Sequence, residues 1–317
     1  MRRNPWIGFA IRRTLLLLVS LGVLVTATFM TVHLVPGDPV RAALGPSASP
    51  QLVAQRKAAL HLDESLPAQF GHYVSGLARG DFGESIGARR AVSDILSERL
   101  PATARLAALA FAACLLLAVP LGALVAIATR GGRRRGLAAG FSVGTGVLIS
   151  VPEYLCAAGL VAIFGVTLAW LPIAGADSAS AYVLPVAALA AVPLATLARM
   201  SRVETLRVLD QEYVRVARSK RLPAVRLHLR HVLPNALTAT LTIGGVLFGA
   251  MIAGTVIVEN VFAWPGLGST VVDAIVQKDY PVVQAIVLVL GAITLLANLV
   301  VDVVLGLLDP RSLIRES

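Results

Sequence analysis

Charge is what this 317-residue chain has least of, with 15 % Asp, Glu, Lys and Arg against 56 % apolar residues. A soluble domain carries about a quarter charged. Together with a mean hydropathy of +0.78, that deficit excludes an ordinary soluble domain and implies an integral membrane protein. Lysine is scarcer still: Lys57, Lys220 and Lys278 are the only three, and they follow Arg56, Ser219 and Gln277. A phosphate-cradling loop needs Gly-x-x-x-x-Gly-Lys-Ser/Thr, so the chain has no nucleotide-driven motor of its own. The two cysteines, Cys114 and Cys156, lie inside apolar runs and offer neither metal nor redox spacing. Among five histidines only His228 and His231 are close neighbours, and without a carboxylate or cysteine cluster beside them they are expected to pack at an interface. His-Glu-x-x-His is missing as well, and no convergent set of carboxylates and histidines stands within the apolar runs, so no catalytic residue and no membrane enzyme is expected.

What the chain does have is long apolar runs, at 14–35, 103–128, 137–164, 182–198, 237–258 and 282–308. Each is near the ~20 residues that cross hydrocarbon as a helix. Six spans are therefore expected, the fourth the shortest. Pro120, Pro152, Pro185 and Pro193 fall inside these runs, and each removes a backbone donor, either kinking a helix beside a pathway or simply packing between helices. Of the 28 Lys and Arg, 19 sit at the amino end, at 130–135, between 199 and 230, and in the tail. Lys and Arg in short loops resist export, so those segments and both termini are expected in the cytoplasm. The net charge of +10 is thereby a matter of topology and does not point to nucleic acid. The segment 36–101 carries seven basic and seven acidic residues and is free to be exported. The first run ends in Val35-Pro36-Gly37-Asp38-Pro39 rather than at a small-residue cleavage site, so it is expected to remain as an anchor.

Within these runs only Glu153 and Asp302 are acidic. That is thin provision for ion coupling, yet an ion-coupled secondary transporter remains the alternative from a different class. Between the fourth and fifth runs lies a basic amphipathic insert, 212–236. Tyr213, Val216, Ala217 and Lys220 fall at helical three-and-four spacing, with Arg215 and Arg218 left for polar contacts. Such a helix lays one face into a partner's groove or lies on the anionic inner leaflet; the spacing alone leaves both open.

Several motifs then stand in a characteristic order: the Pro-Gly-Asp-Pro after the first span, 76–85 (GLARGDFGES), 98–103 (ERLPAT), 212–220 (EYVRVARSK), 230–236 (RHVLPNA), 258–268 (VENVFAWPGLG), 279–284 (DYPVVQ), 298–302 (NLVVD) and 308–311 (LDPR). In this order, over almost the whole length, the chain resembles the permease subunits of ATP-binding-cassette importers of the dipeptide, oligopeptide and nickel type. The resemblance implies an all-α, six-span permease of the type I importer fold in the cytoplasmic membrane of a prokaryote. It implies as partners a second permease, identical or homologous, two cytosolic ATPase subunits that bind ATP and Mg, an extracytoplasmic solute-binding protein and the lipid bilayer. This chain itself would hold no cofactor or metal. Residues 1–35 would be the amino terminus and first span, 36–101 an extracytoplasmic loop, and 102–317 a five-helix core with the coupling segment at 201–236. Coupling to the ATPases would fall to Glu212, Tyr213, Arg215, Val216, Ala217, Arg218, Lys220 and Arg221. Arg221 departs from the family's usual glycine, which alters the turn there. A second departure is Glu153, where Ser or Asn is usual. It is expected either to face the pathway and a cationic feature of the cargo, or to be a protonated or internally paired glutamate holding helices together. Asp302, within two turns of the cytoplasmic end, matches the family and suits a structural pairing or snorkelling rather than cargo contact. The exterior segments, with Asp81, Trp264, Asp279 and Tyr280, would form the surface on which the binding protein docks. Small peptides are the expected cargo, with nickel or a metallophore the alternative within the family.

Overall fold

In the computed structural model the described residues are 5–34, 40–41, 45, 48–59, 62–220 and 222–308. They form helices and connecting turns, with no strand among them beyond an isolated antiparallel bridge between Glu84 and Ala91. The helices are α1 (Pro5–Leu34), α2 (Pro50–Ala59), α3 (Leu66–Ala78), α4 (Val92–Thr129), α5 (Arg135–Ser150), α6 (Glu153–Leu160), α7 (Val183–Leu209), α8 (Glu212–Ser219), α9 (Ala224–Leu227), α10 (Leu233–Val261), α11 (Leu267–Val276) and α12 (Tyr280–Leu308). Wider π-helical turns extend α6 over Val161–Thr167 and bridge α9 to α10 over His228–Val232.

Among the described residues five helices are long and apolar enough to span a bilayer: Trp6–His33, Val92–Gly132, Ala179–Leu209, Ala224–Val261 and Tyr280–Val304. Two corrections to the expected spans follow. The fourth is not short, because α7 continues as a polar helix beyond the apolar run and carries Arg199, Arg202, Glu204 and Arg207 past its end. The third is not one rod: Arg135–Ser150 and Glu153–Thr167 meet at 100°. Val151 at φ −80°, ψ 122° and Pro152 at φ −56°, ψ 141° are both extended, the conformation that proline imposes on itself and favours in its predecessor. Pro101, Pro120 and Pro193 stay inside continuous helices.

Contacts along the spans fix their directions. Ala102 and Tyr182, near the starts of α4 and α7, both meet Trp264, while Arg130, just past α4, reaches Leu209 at the end of α7. The two helices thus run parallel, and α10 returns between them toward Trp264. Without a hydrophobic drive between helices in lipid, small residues let backbones approach closely. A Cβ on Gly122 would lie 2.3 Å from the Ala198 carbonyl oxygen, and beside it the Ser201 hydroxyl donates to the Val119 carbonyl at 2.9 Å. Pro120 removes the donor that would meet the Leu116 carbonyl, yet α4 stays helical through it. Elsewhere Arg13 of α1 pairs with Asp302 of α12 at 2.7 Å, and Gln284 Nε2 donates to the Thr28 carbonyl at 3.0 Å. Helices α1 and α12 therefore lie antiparallel, and both ends of the described chain fall at the end of the bundle that carries α8.

Candidate coupling segment, outer cap and pathway residues

At the α8 end, Val214 and Ala217 are buried against Val208, Leu209, Leu227, Val232 and Ala236. The outward face holds Tyr213, 43 % exposed, and Val216, 54 % exposed, beside exposed Glu212, Arg215, Arg218 and Lys220. The expected single face therefore divides: Tyr213, Val216 and Lys220 point outward, whereas Ala217 anchors the helix to its own chain. Glu212 stands in the first turn and Arg218 in the last, the arrangement that suits the helix dipole. The Tyr213 hydroxyl donates to the His231 carbonyl at 3.4 Å, and partial burial raises its pKa above the ordinary value. Arg130 donates to the Leu209 carbonyl and to Asp210 Oδ1, both at 2.8 Å, joining α4 to the turn that leads into α8. Arg221 lies outside the described residues, as do the Pro-Gly-Asp-Pro motif after α1 and the Asp309-Pro310-Arg311 motif after α12.

At the opposite end two buried carboxylates flank α11, one capping its start and one tying the turn after it to the 85–87 segment. Glu259, at the end of α10 and 0 % exposed, accepts the Thr103 hydroxyl at 2.7 Å, the Gly268 N–H at 2.6 Å and the Ser269 N–H at 3.1 Å. Thr103 Oγ1 in turn accepts the Leu267 N–H at 2.8 Å. The carboxylate thus serves as a cap for orphan donors at the start of α11. It also packs onto the α-carbons of Gly266 and Gly268, where a Cβ would come within 3 Å of its oxygens. Past the other terminus, Asp279 accepts from the Ser85 hydroxyl and from the Ile86 and Gly87 N–H groups at 3.2 and 3.1 Å.

These placements revise the expected docking surface. Trp264 is 0 % exposed, stacked edge-on against Tyr182 with its indole N–H on the Ala102 carbonyl, and Asp279 is buried. Neither can meet a docking protein directly, because both are consumed by internal contacts. Asp81 stays exposed, with Gly83 N–H on its Oδ1, and shares with Tyr280 a cleft of about 350 Å³ between α1, α3, the 81–86 segment and α12. Glu259 was missed as a site residue. Its motif was visible, but a cap that acts on donors nine and ten positions downstream has no local signature. The expected end of the fifth run at residue 258 also left it just outside the bilayer.

Glu153 is the first residue of α6, immediately beyond the break. It is partly buried, with its carboxylate over the bare α-carbon of Gly254 in α10; a Cβ there would sit 2.7 Å from Oε1. Its position places a carboxylate where the break before α6 meets α10.

A multi-span helical membrane protein is the class this arrangement defines. Residues 118–313 match the family model described as the binding-protein-dependent transport system inner membrane component, and residues 6–107 match the model of its N-terminal part. The chain belongs to that family. It is similar to the glutathione transport system permease protein GsiC of Salmonella typhimurium strain LT2, at 37 % identity over 305 residues, covering 96 % of this chain and 98 % of that one. The GsiC of Escherichia coli strain K12 is 36 % identical over the same lengths. Among solved structures, the MetNI methionine ABC transporter, in inward-facing conformations, matches in fold with a TM-score of 0.57 at 15 % identity, covering 68 % of this chain and 98 % of that one. The chain is thus a multi-pass inner-membrane permease subunit of a peptide-type importer. It is not an enzyme: in this family ATP hydrolysis resides on separate subunits, and the permease works with them, with a binding protein and with a second permease.

Proposed function

We propose that this permease moves small peptides with a free amino terminus, glutathione-sized tripeptides among them, into the cytoplasm by alternating access. The observation that carries the reading is the 37 % identity to a glutathione permease over 96 % of the chain. The end bearing α8 and both termini faces the cytoplasm, in keeping with the Lys and Arg distribution. Two ATPase subunits, holding ATP and Mg, receive the outward face of α8 through Tyr213, Val216 and Lys220, flanked by Glu212, Arg215 and Arg218. Arg221, next in sequence, belongs to the same ATPase contact. At the other surface the binding protein meets the exposed part of the cap around Asp81, Tyr280 and the outward side of α11, and a homologous or identical permease completes the pathway. Glu153 stands at the helix break as a counter-charge for the peptide ammonium. Alternating access is then a population shift, each partner binding one state of the bundle better than the other.

The test is uptake of labelled di- and tripeptides and of glutathione by cells with and without this chain, under ATP depletion and under collapse of the proton gradient. Loss of uptake on ATP depletion alone is expected. Persistence through ATP depletion with loss on gradient collapse would replace the reading with an ion-coupled transporter, and uptake of nickel with no peptide uptake would change the cargo. N-acetylated peptides separate the role of Glu153: Glu153→Gln should slow the free peptide and leave the acetylated one unaffected.

A further inference from the structure

We propose that the Thr103–Glu259 hydrogen bond is the joint through which α11 drives α4, and that α4 carries that motion as one rod to Arg130 and the coupling segment. The inference rests on the reading of α11 as part of the docking surface and of α8 as the ATPase contact. Its material is a continuous set of bonded groups. Helix α11 presents Asp273, Ile275 and Val276 outward, and buries Leu267, Val271 and Ala274 against Val92 and Leu96 of α4 and Ile286 of α12. Its first turn cannot move without Glu259, which holds the Gly268 and Ser269 N–H groups. Glu259 cannot move without Thr103, which donates to it and simultaneously accepts from Leu267. The indole of Trp264 fastens the same level of α4 at Ala102. From Thr103 the helix runs unbroken to Thr129, ~39 Å at 1.5 Å per residue. At its far end Arg130 grips Leu209 and Asp210, two residues before α8 begins.

Both ends of this path are charge-assisted, and the outer one is fully removed from water. Breaking the outer joint therefore leaves a buried carboxylate short of a donor. Rigid elements joined by such bonds pass displacement between sites only if both sites bias the same two arrangements. Thr103 and Arg130 are accordingly positioning residues and touch neither cargo nor nucleotide.

The experiment uses the intact importer purified from native cells through a tag on this chain, reconstituted in nanodiscs with the binding protein that accompanies it. The quantity read is the ratio of ATPase rate with cargo-loaded binding protein to the rate without it. Thr103→Val keeps the shape and removes the hydroxyl; we expect the ratio to fall about fivefold, the lower end of an allosteric coupling. Thr103→Ser restores the donor and should restore the ratio. Arg130→Ala should lower the ratio similarly, and the double variant Thr103→Val with Arg130→Ala should fall no further than the worse single change, because both interrupt one path. A purely structural role would lower the yield of assembled complex and leave the ratio in what remains unchanged. An unchanged ratio in Thr103→Val, or losses that multiply in the double variant, overturns the inference while leaving the permease reading intact. Recovery of the wild-type chain with no ATPase subunit overturns the functional reading and this inference with it.

Discussion

At the scale of single residues, the outer cap turns on where one side chain's oxygens lie. Glu259→Ala leaves the Thr103 hydroxyl and the Gly268 and Ser269 N–H groups without an acceptor in a site closed to water. The expected cost is about 3 kcal/mol or more, read as a fall in the detergent-solubilised protein's thermal midpoint. Glu259→Gln keeps one accepting oxygen and should lose less, while equal losses would deny the cap. The glutamate's identity was plain in the sequence, but its role was not, since hydrophobic periodicity and short motifs report neighbours within four residues. For Asp279, whose partners are Ser85 to Gly87 almost two hundred positions away, the sequence offered no physical route to the pairing. Asp302 was more legible: an acidic group near a helix end in an otherwise apolar run implies a cation nearby, and Arg13 supplies it.

Among the elements, α8 shows what an amphipathic pattern does and does not reveal. Its strongly one-sided composition marks a surface helix, yet which side meets its own chain depends on the groove beneath. There Val214 and Ala217 enter a pocket formed by the end of α7 and the start of α10. Two aspartate substitutions, two positions apart, should therefore part company. Val214→Asp buries a charge in that groove and should reduce the amount of folded protein in the membrane. Val216→Asp projects into solvent and should leave the amount unchanged but sharply reduce ATPase co-purification and uptake. Equal membrane levels with equal co-purification in both variants would show that α8 has no preferred face. The existence of the long helices was readable because twenty apolar residues have few alternatives in a bilayer. Their ends and bends were not, because Pro120 and Pro152 look alike in one dimension. Pro120, like Pro101 and Pro193, stays inside a continuous helix, whereas Val151 and Pro152 are extended and end theirs; the residues beside each proline do not announce which outcome applies.

For the molecule as a whole, the antiparallel ordering of α1 and α12 and the parallel ordering of α4 and α7 divide the exposed residues between two ends. Single cysteines in a background with Cys114 and Cys156 replaced by alanine test that division. A cysteine in place of Val216 should react with an impermeant maleimide only in inside-out vesicles, and one in place of Ile275 only in spheroplasts. Labelling of both from one side would overturn the topology. The sharp bend at Val151–Pro152 also bears on what closes the third crossing of the bilayer. Arg135–Ser150 has 16 residues, ~24 Å of helix, and the segment beyond the bend is no longer, so neither limb alone matches a hydrocarbon layer of about 30 Å. Helix α7 packs against both limbs, so this crossing belongs to the packed bundle rather than to any single helix.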